Sequence, residues 1–319
     1  QMGFLTNLDA VAQANHWDDV LPPMIQNVVK HDGHYVATPV NIHRANWMWS
    51  NPEIFKKSGA SVPSNWDEFF VAAEKIKQAG FIPLAHGGQS WQDAHVFESM
   101  VLGIGGAPFY KQVFIDLDES AVKSATMIEV LENYKRLKPY MDRNFSGRDW
   151  NIATSMIMNG EAAMQIMGDW AKGEFLGAKK VPGEDFNCTP VPGTKGSFLF
   201  ITDSFSMFKV KGAPSKKAQA DLAATILDPQ FQEAFNLVKG SIPARQGVSK
   251  DKFDNCALAS MDALSASSDS SSLLPSMAHG MAVSPTIKGQ VMDVVSNYFN
   301  DDSVTPQMAQ LKLAKAIKE

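Results

Sequence analysis

The chain has 319 residues, 45% hydrophobic and 20% charged, with 29 basic against 34 acidic side chains and a formal net charge of −5. That length exceeds one ordinary core and points to two lobes, and the composition is that of a globular rather than a disordered chain. No basic block supplies the field that neutralises nucleic-acid phosphates or an anionic membrane surface, and no apolar run reaches the roughly 18 to 20 residues of a membrane span.

The opening residues, Gln1-Met2-Gly3-Phe4-Leu5-Thr6, show neither the basic stretch nor the apolar run of a secretory signal, so any export signal is expected to have been removed or to lie upstream. Tyr35 to Val40 reads as a strand, with Pro39 marking an edge or a bend, and Asn46-Trp47-Met48-Trp49 reads as another that ends at the turn Ser50-Asn51-Pro52. A helix follows, capped by Asn65 with Glu68 as its capping-box partner and ended by Gly80. Its apolar residues Phe69, Ala72, Ala73 and Ile76 recur at i, i+3, i+4 and i+7, which makes one buried face. Phe81 to Gly88 reads as a short buried strand opening into a glycine turn. Helices are expected at 92–103, 122–139, 150–159, 214–226, 229–238 and 305–318, and strands at 161–167, 197–202 and 204–210. The polar tract Ser265 to Ser272 reads as a solvated loop. No repeat of 20–50 residues and no long linker interrupts this alternation, which predicts an α/β architecture built on parallel-rich sheets.

Most catalytic signatures are missing. Gly103-Ile104-Gly105-Gly106 follows no convincing strand and lacks the third glycine of a dinucleotide fingerprint. There is no phosphate-binding GxxxxGK[ST] and no GxSxG elbow, and Ser276 with His279 does not make a triad. No metal site is expected: His31 and His34 beside Asp32 are loosely placed, and the two cysteines have no histidine at metal-ligand spacing. Cys188 and Cys256 read either as two buried thiols or as one long-range disulfide, which would belong to an oxidising compartment. A glycosidase needs two facing carboxylates, and no pair among the acids is marked out by its context.

What stands out is a set of residues suited to sugars. Pyranose C–H faces stack on indoles, and hydroxyls demand paired donors and acceptors. Of the seven tryptophans, Trp17, Trp47, Trp49 and Trp66 lie in amphipathic or strand patterns and are expected in the core. Trp150 and Trp170 each follow an aspartate at the end or start of an element, and Trp91 stands among Gln89, Ser90, Gln92 and Asp93.

The run DGHYVATPVNIHRANWMWSNPEIFKK from Asp32 to Lys57, the following VPSNWDEFFVAAEKIKQAGFIPLAHGGQSWQD, and the later strings MNGEAAMQIMGDW, VKGSIPAR and PSMAHGMA carry a resemblance over essentially the whole chain. They resemble the periplasmic substrate-binding proteins of bacterial carbohydrate ABC importers (family 1 extracellular solute-binding proteins), and within them the glucose/mannose-binding branch. The resemblance implies the two-lobed α/β periplasmic-binding-protein fold, type II-like, with three crossings near 39–43, 200–205 and 241–246. It implies a first lobe of 1–39 plus 206–241 and a second of 44–200 plus 246–319. It also implies a monomeric, non-enzymatic periplasmic protein that needs no cofactor, grips a monosaccharide between its lobes and hands it to a membrane permease.

Carried onto this chain, Trp170 in MGDW would stack on a sugar face and Trp150 in GRDW would border the pocket. Asp203 in ITDS would accept from two hydroxyls, and Lys239 in VKGSIP and His279 in PSMAH would donate to a hydroxyl or the ring oxygen. His43, Gln89 and Trp91 are further lining candidates. The family's pattern has Asn two positions before the aspartate where this chain has Ile201, which removes one hydroxyl partner. Family members also carry an additional N-terminal segment, so the first lobe is expected to be incomplete here. An oligosaccharide- or polyol-binding protein of the same fold is the alternative, with a glycoside hydrolase behind it.

Overall fold

The computed structural model describes residues 3–267 and 271–318. The chain divides into two compact units, Gln1–His43 with Ile201–Leu258, and Arg44–Phe200 with Ala259–Glu319. The stretch 246–258 therefore goes with the first unit. The third border falls inside the helix Asn255–Ser267 rather than near 241–246.

In the first unit, three short helices, Asp9–Ala14, Trp17–Val20 and Pro23–Val29, close over a core of Trp17, Leu21, Ile25, Val29 and Tyr35. Trp17 meets the Tyr35 ring edge-on at 5.1 Å, a favourable arrangement for two ring quadrupoles. Asp32 and Gly33, at φ 50° and 81°, make the tight turn of the hairpin that joins Lys30–His31 to His34–Tyr35. Two adjacent left-handed residues are what such a turn requires, and Asp-Gly supplies them cheaply. The histidines flanking this turn thus have a structural setting, and His34 Nδ1 lies 2.6 Å from Asp9. The expected strand over 35–40 is realised as Ala37–Pro39, paired antiparallel with Ser204–Ser206. Helices Ala213–Ile226 and Pro229–Lys239 complete the unit, the second capped by Asp228 and stopped by Gly240 at φ 87°.

The second unit holds a four-stranded sheet in the order Ile82–Leu84, Ala162–Ile166, Trp47–Ser50, Asn187–Pro190. Only the first pair is parallel, and Trp47–Ser50 runs antiparallel to both of its neighbours. The expectation of parallel-rich sheets is corrected here. Alternation of strands and helices fixes direction only where a crossover helix joins two strands of one sheet, and none precedes Trp47–Ser50 within its own unit. A second parallel pair joins Leu273–Pro275 to Phe198–Ile201.

The helix Trp66–Gln78 forms as its spacing predicts. Asn65 Oδ1 accepts from Glu68 N at 2.9 Å, and Phe69, Ala72, Ala73 and Ile76 are buried. Glu68 reaches one residue further back than a capping box, to Ser64 N and Oγ. The helix Ser90–Phe114 is longer than expected and is bent at Gly106, whose φ of 74° and ψ of 177° no other residue adopts easily. From Gln92 to Leu102 it is buried on every side, which marks it as a central helix rather than an amphipathic surface one. Helices Ala125–Arg136 and Pro285–Asn300 pack against it.

The expected helix over 122–139 is broken into Glu119–Val122, Ala125–Arg136 and the turn Lys138–Tyr140, because Ser124 restarts it as an N-cap on Met127 N. Sequence reading missed the helices Pro285–Asn300 and Asn255–Ser267. The supposed loop at 265–272 is helical through Ser267, and its residues 268–270 lie outside the described residues. Trp17, Trp47, Trp49 and Trp66 are buried as expected. Cys188 and Cys256 are both disulfide-bonded.

Candidate functional site

Two polar clusters carry the candidate residues, one in each unit. In the second unit the strand Ala162–Ile166 runs into Met167-Gly168-Asp169-Trp170 and then the helix Ala171–Gly177. This turn is pinned on both sides. Trp49 Nε1 donates to Met167 O at 2.8 Å, Arg44 N donates to Asp169 Oδ2 at 2.9 Å, and Asp169 N returns a bond to Arg44 O. Gly168 lies under the Trp170 indole so closely that a methyl group there would run into the six-membered ring. The glycine thus seats the indole, which is half-buried.

Around Trp170 three more rings meet edge-on. Its centroid lies 5.8 Å from that of His95 and 5.2 Å from that of His279, and Trp91 lies 5.8 Å from His279. Trp91 is held by its Nε1–H donating to Gln89 Oε1 at 2.8 Å, and Gln89 Nε2 donates to Asp149 at 2.5 Å. Trp150 opens the helix Trp150–Met158 half-buried, and its carbonyl accepts from Thr154 and Gln165. Among the described residues no ring pairing ties Trp150 to the other four.

Two members of this cluster escaped sequence reading, His95 and Glu98. With the helix starting at Ser90, positions 91, 95 and 98 stand at i, i+4 and i+7 on one face of the helix. Glu98 is fully buried, where an isolated charge is expensive, and the loop after Leu273–Pro275 supplies its partners. Ser276 Oγ donates to it at 2.7 Å, Met277 N at 2.8 Å and Ala278 N at 3.1 Å, with the Tyr110 hydroxyl at 3.1 Å. Ser276 Oγ also accepts from His279 N. The carboxyl is therefore the anchor of the loop that presents His279. Burial pushes its pKa up to about 7 against the pull of those donors.

The ligand atoms of His95, Glu98 and His279 lie within 4.8 Å of one another, a spacing known from metal sites. Glu98 spends its lone pairs on the loop, and the His95 and His279 nitrogens bond each other, so the set is built as a hydrogen-bond network rather than a cation cage.

In the first unit the carboxylate of Asp203 gathers the remaining candidates. His43 Nε2 lies 3.1 Å from Oδ2, Asn41 Nδ2 3.0 Å and Lys239 Nζ 3.8 Å. The orientation of the Asn41 amide is fixed, because its Oδ1 accepts from Asp203 N at 2.8 Å. The short Asn41 to His43 contact then faces one donor with another if His43 Nε2 donates to Asp203, so the carboxylate is the acceptor both share. These donors, His43 first, hold the Asp203 pKa well below the usual carboxylate range despite partial burial. All three approach Oδ2 rather than Oδ1.

Several long-range contacts place this cluster. Gln232 and Asn236 on the helix Pro229–Lys239 donate to the carbonyls of Pro39 and Val40, and Ile42 exchanges backbone bonds with Ile242. Asn41 was not singled out from sequence, yet it provides an amide for Asp203, while Ile201 is apolar and buried.

The bacterial extracellular solute-binding protein family model matches residues 1–232. A probable sugar-binding periplasmic protein of Rhizobium meliloti is 46% identical over 318 residues, spanning 98% of this chain and 76% of the relative. Among solved structures, a bacterial solute receptor described as having an exclusive preference for β-D-galactopyranose superposes with a TM-score of 0.82 at 19% identity, over 99% of this chain and 78% of the other. A chitin oligosaccharide binding protein superposes with a TM-score of 0.81, also at 19% identity, over 99% and 78%. At such identities the structural likeness speaks for the fold, and it agrees with the family match and the close relative: this chain belongs to the bacterial extracellular solute-binding proteins.

Proposed function

We propose that the protein binds a monosaccharide, glucose or a related hexose, in the periplasm and, as a monomer, delivers it to the membrane permease of an ABC importer. One observation carries the reading: the half-buried Trp170 indole, seated on Gly168 and edged by His279 and His95, with Trp91 edging His279 in turn. An indole offers the apolar face that pyranose C–H groups cover, and the adjoining imidazole offers a hydrogen bond to a hydroxyl at its rim. Asp203 brings a charged acceptor, and charge-assisted bonds to hydroxyls are the stronger kind. Lys239, His43, Gln89 and Trp150 are proposed as further contacts. The name of the Rhizobium relative supports a sugar as the solute.

Titration calorimetry with glucose, mannose, galactose and xylose tests the proposal. Heat from at least one hexose is expected, and no heat from any of them sinks it. A second reading, an oligosaccharide ligand, is favoured by the two tryptophans that flank His279, since a pair of indoles suits more than one sugar ring. A series from mono- to trisaccharides separates the two, because affinity that climbs with length supports the longer ligand. Hydrolysis of chromogenic glycosides is not expected.

A further inference from the structure

Gln89 stands just ahead of the helix Ser90–Phe114, and its amide lies between two partners of opposite character. The Trp91 Nε1–H, which can only donate, is 2.8 Å from one end, and the Asp149 carboxylate, which can only accept, is 2.5 Å from the other. Chemistry therefore fixes the amide orientation, with Oε1 toward the indole and Nε2 toward the acid. Gln92 Nε2 donates to the same Oε1 at 3.0 Å. Among the described residues these bonds use both lone pairs of Oε1 and one of the two Nε2 hydrogens.

Asp149 forgoes an ordinary role to make this contact. It stands at the N-cap of the helix Trp150–Met158, where an aspartate usually accepts from the second or third amide of the helix, yet its side chain makes no cap bond. It turns to Gln89 instead. Around this contact the loop 145–149 is held to the segment 86–92. Gly147 N donates to Gly88 O at 3.1 Å, Arg148 Nη1 to His86 O at 3.3 Å and Gln92 Nε2 to Arg148 O at 3.0 Å. Gly88 permits the approach, since a Cβ there would come within 2.4 Å of Phe145 O.

We infer that Gln89 is a positioning residue, whose amide clamps the Trp91 indole to the start of the helix that carries Trp150 and so sets the two tryptophans as one unit. This supplies the tie between Trp150 and the aromatic cluster that ring contacts do not. The consequence for binding rests on the sugar-binding reading above. The single N–H of Trp91 is spent on Gln89, so Trp91 gives a sugar its ring face and no donor. Gln89 itself keeps one Nε2 hydrogen for a hydroxyl, and its larger effect passes through the indoles.

The test reads the indole signals in nitrogen–proton spectra of the uniformly ¹⁵N-labelled full chain without sugar at pH 8, assigned by Trp91→Phe and Trp150→Phe. The wild type is expected to show a Trp91 indole proton protected from exchange with water. Gln89→Leu removes the acceptor, and that protection falls about 10-fold or more. Gln89→Glu keeps an acceptor for Trp91 but sets two carboxylates against each other, so the Trp91 proton stays protected while the Trp150 signal shifts. Asp149→Asn alone leaves both signals in place, because an amide oxygen accepts where the carboxylate did. Combined with Gln89→Glu, it supplies a donor to the new carboxylate and returns the Trp150 signal to its wild-type position. In calorimetry with whichever of glucose, mannose, galactose and xylose binds tightest, Gln89→Glu weakens binding about 10-fold, the effect of roughly one hydrogen bond, and the double variant recovers most of the loss. A Trp91 proton that exchanges freely in the wild type overturns the inference. So does a Trp150 signal untouched by Gln89→Glu, or a double variant no closer to the wild type than Gln89→Glu. The wild-type spectrum decides the matter even where a variant does not fold. A wild type that binds no sugar overturns the functional proposal alone, because the spectra are read without ligand.

Discussion

Replacing Glu98 by alanine removes the acceptor for Ser276 Oγ, Met277 N and Ala278 N at once. Met277 N keeps a second acceptor in the Tyr110 hydroxyl at 3.1 Å, so Ser276 Oγ and Ala278 N, both on buried residues, are the donors left without a partner, each at a cost of about 1–3 kcal/mol. The summed loss is about 2–6 kcal/mol, reduced where water enters the vacated space. Amide hydrogen exchange at Met277 and Ala278 reads this locally, and a loss of about 3 kcal/mol accelerates exchange by about 100-fold or more. Glu98→Gln provides the contrast. Its amide oxygen still accepts from the two backbone donors, and its NH2 group donates to Ser276 Oγ, which is able to accept. The cost is expected to stay below about 1 kcal/mol.

The pH dependence follows from the same burial. An unfolded glutamate loses its proton near 4.5, while buried Glu98 keeps it until about 7. Between these values the native state binds more protons than the unfolded one. Stability therefore falls as pH rises through that window, by about 3 kcal/mol in all, and levels off above it. Urea unfolding from pH 4.5 to 8 should show this decline in the wild type and lose it in Glu98→Gln. Unchanged exchange at the two amides in Glu98→Ala, or an undiminished pH slope in Glu98→Gln, refutes the reasoning.

His279→Ala is expected to weaken sugar binding by about 1–3 kcal/mol in calorimetry while the melting temperature moves little, since the loop is anchored through Glu98 rather than through the imidazole. Asp203→Asn should weaken binding by a similar amount, about 1.5–3 kcal/mol, because a charged acceptor is lost. The Asp203 pKa is held low, so its stabilising bonds to His43 and Asn41 are complete above the ordinary value of 3.8 and are lost only as pH falls below it. Wild-type affinity measured between pH 8 and 5 should therefore show no step from this group. Gly168→Ala pushes a methyl into the Trp170 ring; tryptophan fluorescence should shift and affinity fall about 10-fold, the scale at which a displaced contact of about 1.4 kcal/mol registers.

Much of this protein was open to reading in its sequence, because much of it is decided by neighbours in the chain. The cap at Asn65, the apolar stripe through Ile76, the helix Pro229–Lys239 with its glycine stop, and the burial of Trp17, Trp47, Trp49 and Trp66 all follow from spacings of a few residues. The strings around Trp170, Asp203, Lys239 and His279 likewise marked the family and its candidate residues. Strand direction did not follow, since nothing local to Trp47–Ser50 says which way it must run between its two partners.

The roles of His95, Glu98 and Asn41 were decided by tertiary structure alone. A glutamate inside an apolar helix reads as an anomaly until the backbone of Met277 and Ala278 arrives to satisfy it, 179 and 180 positions away. His95 acquires its meaning from His279, 184 positions on, and Asn41 from Asp203, 162 positions on. The physical reason is common to all three. Periodicity and capping are short-range and are written in adjacent residues, whereas the cost of burying a polar group depends on the partner that the fold delivers to it.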